Sequence, residues 1–291
     1  MQEILQYIFS GITNGAIYAI IAVGFSLLYN STEIINFAHG EFVMIGALSL
    51  VTLWGSFHLP LPLAFVLTIV VVSGTGLLFE RFAIRTVKKP DHIVLVIITV
   101  GASIFLRGIA MLIWGKDAYS IPPFSSNPPI DIAGARLLIQ SIWIIVISLL
   151  SVVALYFFYN KTLTGKAIRA CAINKKAAWL TGIPSGKMVM LSFVLSIGMG
   201  AVAGLIIAPI TMCSYDMGTM LGLKGFCAAM LGGLGSLWGA LIGGFILGIL
   251  EAMGVGFVSS SLKDAIAFVL LLLILFIRPG GIIQSKDVQR F

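Results

Sequence analysis

Strongly polar side chains are sparse in this sequence, so each one inside an apolar run is a candidate for chemistry. The densest group is Ile35-Asn36-Phe37-Ala38-His39-Gly40-Glu41. On a helix Asn36 and His39 share a face at i,i+3 spacing, and Glu41 falls on another side. An amide, an imidazole and an acid opening an apolar helix fit two arrangements. One is a broken helix whose polar groups face a translocation pathway or a partner subunit. The other is a helix start at the interface, with Glu41 near the positive end of the dipole and the rest capping. Arg107, toward the outer side of its run, and Glu251, near the end of its own, fit side chains reaching outward to the interface. Asn14 and Tyr18, at i,i+4, fit packing between helices.

Other chemistries lack their parts. Cys171, Cys213 and Cys227 are odd in number and form no metal or disulfide framework. His39, His58 and His92 are scattered, and neither HExxH nor GxSxG occurs. Gly182-Ile183-Pro184-Ser185-Gly186-Lys187 resembles a phosphate loop superficially. It has one residue too few between its glycines, and Met188 follows the lysine where Ser or Thr is needed. The reading is a chain with no catalytic residue, no metal and no cofactor of its own, whose ATP, if any, is hydrolysed elsewhere.

The elements that must position these residues are membrane helices. Hydrophobic types make up 59% of the 291 residues and charged types 10%, against about 25% charged in an average soluble domain. That excludes an ordinary soluble enzyme and a disordered chain, and it turns the net charge of +7 toward a membrane rather than nucleic acid. The N-terminus lacks the basic start and cleavage site of a secretory signal, so the first apolar run is expected to stay as a helix. Apolar runs long enough to span lie at about 4–29 (or from 11), 34–57, 61–79, 93–114, 137–159, 188–208 and 262–277. A glycine-broken region at 222–256 reads as a half-helix from Leu223 to Leu231, a turn at Gly232, Gly233 and Gly235, and a returning helix from Leu237 to Gly256. The predicted class is therefore an all-α polytopic bundle of about eight membrane segments with broken or re-entrant helices, one domain over 1–291.

Basic residues set the orientation. Arg81, Arg85, Lys88 and Lys89 follow the third span. Lys161, Lys166, Arg169, Lys175, Lys176 and Lys187 follow the fifth, and Arg278, Lys286 and Arg290 close the chain. These thirteen of eighteen basic residues place all three segments on the cytoplasmic side. The N-terminus is then outside and the C-terminus cytoplasmic. Pairs of glycines at four-residue spacing, among them Gly11/Gly15, Gly200/Gly204, Gly218/Gly222 and Gly244/Gly248 with the run Gly235, Gly239, Gly243, mark close helix packing.

The basic stretch at about 160–187 is alanine-rich and stops at Gly182 and Pro184. It reads as a short cytoplasmic helix, with Ile168, Cys171, Ala172 and Lys175 along one side, suited either to orienting the protein by charge or to docking a soluble partner.

Three blocks in order resemble branched-chain amino-acid ABC transporter permeases of the LivH-like type: NGAIYAIIAVGFSLLY…IINFAHGEFVMIGA, GKAIRACAINKKAAWLTGI and GFCAAMLGGLGSLWGALIGGFILGILE. The resemblance runs from about Gly11 to Pro279. It implies a subunit of a bacterial inner-membrane importer for branched-chain or other hydrophobic amino acids. The implied partners are a second homologous permease, two cytoplasmic ATP-binding-cassette ATPases and a periplasmic substrate-binding protein. It also implies ATPase contact through Gly165, Arg169, Ala170, Asn174, Ala177, Ala178 and Gly182. Asn36, His39 and Glu41 match the first signature, from which a direct substrate role does not follow. Urea and amide importers have very similar permeases and are the first alternative. An ion-coupled secondary transporter would need a relay of intramembrane carboxylates, for which Glu41 and Glu251 are a thin supply.

Overall fold

The structure, a computed structural model, describes residues 2–87, 91–125, 128–132, 134–257, 259, 262–278 and 280–283. Lys88, Lys89, Lys286 and Arg290, used above for orientation, lie outside the described residues.

Apolar runs without internal proline wind into helices because a backbone removed from water must satisfy its own hydrogen bonds. The order is α1 (Gln2–Thr32), α2 (His39–Leu50), α3 (Leu61–Phe79), α4 (His92–Trp114), α5 (Ile139–Lys161), α6 (Leu163–Ile173), α7 (Lys175–Leu180), α8 (Ser185–Ile207), α9 (Met217–Gly232), α10 (Leu237–Phe257) and α11 (Lys263–Ile277). Two helices end in π-wound turns, α2 through Val51–Ser56 and α3 through Glu80–Ile84. Six helices among the described residues are long and apolar enough to cross a membrane: α1, α3 with its extension, α4, α5, α8 and α10. α9 is a shorter apolar helix.

α1 is the central post, buried almost continuously from Gly15 to Leu28. Its glycines meet those of α10. A Cβ on Gly15 would lie 2.8 Å from the Phe245 Cα, and one on Gly11 would lie 2.8 Å from the Ile249 Cα. Side chains at these positions would force the two backbones apart. α2 is gripped in the same way, with Gly46 against Ala201 of α8 and Gly40 against Gly222 of α9. α3, α4, α5 and α11 lie outside this core and turn large apolar side chains outward, such as Phe105, Leu112 and Phe276, as lipid-facing helices do.

The structure corrects several expectations. The second apolar run does not start its helix at Ile34. Residues 33–38 are non-helical, because the Asn36 Oδ1 accepts the Ala38 N–H at 3.1 Å and competes with the helical bond. The face that Asn36 and His39 were to share therefore does not form. The half-helix α9 starts at Met217, six residues before Leu223. Gly235 is a turn residue with φ +88 rather than part of a packing stripe, while Gly239 and Gly243 do pack against the end of α9. The basic stretch at 160–187 holds two helices, not one, and the proline-rich loop holds a small antiparallel hairpin, β1 (Ile130–Ile132) with β2 (Ala135–Leu137).

Candidate functional site

α2 and α4 run parallel with a constant offset. Phe37 N–H bonds Thr99 Oγ1, Ser103 Oγ bonds Glu41, and Trp114 Nε1 bonds Thr52 Oγ1, each pair 62 residues apart. Ser103 is the middle residue of the 23-residue helix α4, which is about 35 Å long. The non-helical link before α2 and the first turn of α2 therefore sit deep along α4, not at its end.

At that depth lies Glu41, which is 0% exposed. Its Oε1 accepts from Ser103 Oγ at 2.8 Å and from Thr219 Oγ1 at 3.1 Å, and Arg107 Nε stands 3.8 Å away. Its Oε2 has no partner among the described residues. It lies against Gly218, where an added Cβ would be 2.6 Å from it. Three elements thus build one site: α2 supplies the acid, α4 the serine and the guanidinium, α9 the threonine and the glycine that leaves room. A buried carboxylate is tolerated only with such donors.

His39 and Asn36 do not join it. The His39 ring points the other way, packed at a tilt against Phe25 with centroids 4.7 Å apart, and Nδ1 is 3.5 Å from Ser196 Oγ. Gly24 leaves the space it fills, since a Cβ there would lie 2.5 Å from Nε2. The Asn36 Oδ1 is taken up by the local backbone bond, and its buried Nδ2 has no partner among the described residues.

A second charged cluster ties α1, α9, α10 and α11 together. Glu251, 0% exposed, accepts from Tyr18 OH at 3.0 Å and from Lys224 Nζ at 3.2 Å. Lys224 also reaches Asp264 at 2.7 Å, and Lys263 stands 3.5 Å from Glu251. Glu251 is therefore not an interfacial side chain reaching outward, and Arg107 is an ion-pair partner as well. The signals that could have found these partners are in the sequence. Thr99, Ser103 and Arg107 form a polar stripe at four-residue spacing, and Lys224 is a lone cation in an apolar run that must have an acid to meet.

The third feature is the segment at 160–187. Thr162 Oγ1 accepts the Gly165 N–H and starts α6, and Asn174 Oδ1 accepts the Ala177 N–H and starts α7, both at 3.0 Å. Gly165 and Ala178 are buried and hold the pair against the bundle, so they are not available for contact. Arg169, Asn174, Ala177 and Gly182 are exposed and Ala170 is half-buried. Arg169 Nη1 donates to Asn160 Oδ1 at 3.0 Å. Sequence reasoning missed the apolar members of this surface: Leu163, Ile173, Trp179 and Leu180 are 85%, 68%, 67% and 78% exposed. Behind the pair a cavity of about 900 Å³ opens, lined by Glu33, Glu80, Arg85, His92 and Lys175 among others.

Comparison with known proteins gives the family. Residues 7–275 match the family described as branched-chain amino acid transport system / permease component. The chain is 35% identical to the high-affinity branched-chain amino acid transport system permease protein LivH of Escherichia coli, across 98% of this chain and 97% of that one. It is 34% identical to BraD of Pseudomonas aeruginosa, of the same description, with the same coverage. The fold is like that of a solved inward-facing metal-chelate-type ABC transporter, with a TM-score of 0.51 and 17% identity over 94% of this chain and 85% of that one. Matched in family and in relatives along nearly its whole length, the chain belongs to the permease-component family of branched-chain amino acid transport systems.

Proposed function

We propose that this chain is the membrane permease of an ATP-binding-cassette importer that carries branched-chain amino acids across the bacterial inner membrane. The substrate class rests on what the relatives are named for. In this reading the chain has about eight membrane segments, some broken or re-entrant, and crosses an odd number of times, with the N-terminus outside and α6–α7 and the C-terminus in the cytoplasm. It pairs with a second homologous permease, two ATPases and a periplasmic binding protein, and itself hydrolyses nothing. Arg169, Asn174, Ala177, Gly182 and Ala170 belong to the ATPase contact, which Gly165 and Ala178 support from beneath.

The observation that carries the reading is the uncovered α6–α7 pair, where Trp179 and Leu180 stand among basic residues. Large apolar side chains exposed beside a lysine-rich cytoplasmic surface suit a protein partner rather than water. Closing the ATPases on ATP would press on this pair and rock the helices joined to it, α5 and α8. Alternating access follows if the two states differ in their contacts here. The pathway runs by Glu41 and Arg107. Arg107 is 33% exposed one turn from the middle of α4, and a guanidinium facing hydrocarbon there would cost about 2.5–3.5 kcal/mol. That face is therefore turned to water or to the partner permease.

The test is purification of this chain with its co-purifying subunits, then reconstitution in liposomes. Leucine uptake should require ATP, the ATPases and the binding protein. Uptake by the lone chain under an ion gradient would overturn the reading in favour of a secondary transporter.

A further inference from the structure

We propose that Arg107 and Glu41 form a waypoint that takes the α-carboxylate and α-ammonium of the passing amino acid. The inference rests on the importer reading above and adds the groups that touch substrate. The chemistry is set by what the two side chains leave unused. The contact of Arg107 to Glu41 is through Nε at 3.8 Å, longer than the 2.7–2.9 Å of a charge-assisted hydrogen bond. Its terminal nitrogens make no hydrogen bond among the described residues, so the planar fork that matches a carboxylate stands open. Glu41 holds two hydroxyl donors on Oε1, with the Arg107 guanidinium 3.8 Å away, and none on Oε2. A buried carboxylate oxygen without a donor is costly to keep, and an ammonium supplies donors.

The pair also has the spacing and surroundings that a zwitterion needs. Arg107 approaches the same oxygen, Glu41 Oε1, that Thr219 bonds. The site therefore borders α9, whose backbone meets that of α2 closely at Gly40, Gly218 and Gly222, with the Thr219–Glu41 bond as a side-chain link between the two helices. Beyond Thr219 on α9, Met220 is exposed and Leu223, one turn on, is half-buried, giving apolar surface beside the charges for a branched side chain. The ion pair is loose enough to be exchanged for substrate contacts and reformed afterwards, as a transport site requires, since tight binding would hold the cargo.

The complete transporter, reconstituted with its partners, tests this. Arg107→Gln should lower leucine uptake about tenfold or more, because the carboxylate fork is lost, while ATPase stimulation by loaded binding protein stays within about twofold. Arg107→Lys, which keeps the charge without the fork, should fall between. If wild type carries leucine and Arg107→Gln carries it equally well, the waypoint is wrong and the importer reading stands. If wild type carries none, the importer reading itself fails. A second measurement does not depend on the Arg107 variants folding. Cys171, Cys213 and Cys227 are buried, so Thr219→Cys offers a selective site for a maleimide. Millimolar leucine should slow its labelling, and leucinamide or 4-methylpentanoate, each lacking one charge, should not. No slowing by leucine, or equal slowing by all three, would overturn the proposal.

Discussion

Lys224 Nζ lies 3.2 Å from the Glu251 carboxylate, and both side chains are withdrawn from solvent, at 6% and 0% exposure. The pair joins the short helix α9 to α10, and through Asp264 and Lys263 it fastens the start of α11. Removing one partner leaves a buried charge uncompensated, which costs about 3–5 kcal/mol. Lys224→Met and Glu251→Leu should each lower the thermal stability of the detergent-purified protein sharply. The double variant should be more stable than either single one, because Asp264 and Lys263 are about half exposed and can hydrate. Strictly additive losses in the double variant would show that the two charges do not depend on each other.

Asn174 has a local task that a contact role alone would not require. Its Oδ1 caps α7, and losing such a cap costs about 1 kcal/mol. Asn174→Ala should weaken coupling of ATP hydrolysis to uptake, whereas Asn174→Asp and Asn174→Ser, which can cap, should keep most of it. Equal loss in all three would assign the residue to direct partner contact instead.

The apolar side chains on α6–α7 should matter to assembly more than to folding. Trp179→Glu together with Leu180→Glu should leave membrane insertion and thermal stability near wild type, since both positions are exposed, and should reduce ATPase co-purification by about tenfold. Normal recovery of the ATPase with this variant would remove these residues from the interface.

Gly15 should tolerate no side chain of any size. A Cβ there meets the backbone of Phe245, not a movable side-chain tip, so Gly15→Ile must separate α1 from α10. The expected result is loss of monodisperse protein on size-exclusion chromatography. Gly101→Ala, on α4, faces open space and should behave as wild type.

Much of this molecule was legible in the chain itself. Apolar length alone marks the long helices, because a backbone in hydrocarbon has no other way to satisfy its polar groups. The glycine pairs at 11/15 and 244/248 mark close approach, since only a missing Cβ permits it. The basic stretch ending at Gly182 is marked by charge. Partnership was not legible. Only the tertiary structure joins Gly11 and Gly15 to Gly244 and Gly248, brings Arg107 to Glu41, and sets Lys224 beside Glu251. It also turns His39 away from Glu41, two residues later, onto Phe25. The physical reason is that spacing along a helix fixes which side chains share a face, whereas the object of that face depends on how separate helices pack. For a lone charge in an apolar run, the sequence states that a partner must exist, and the fold alone says which one.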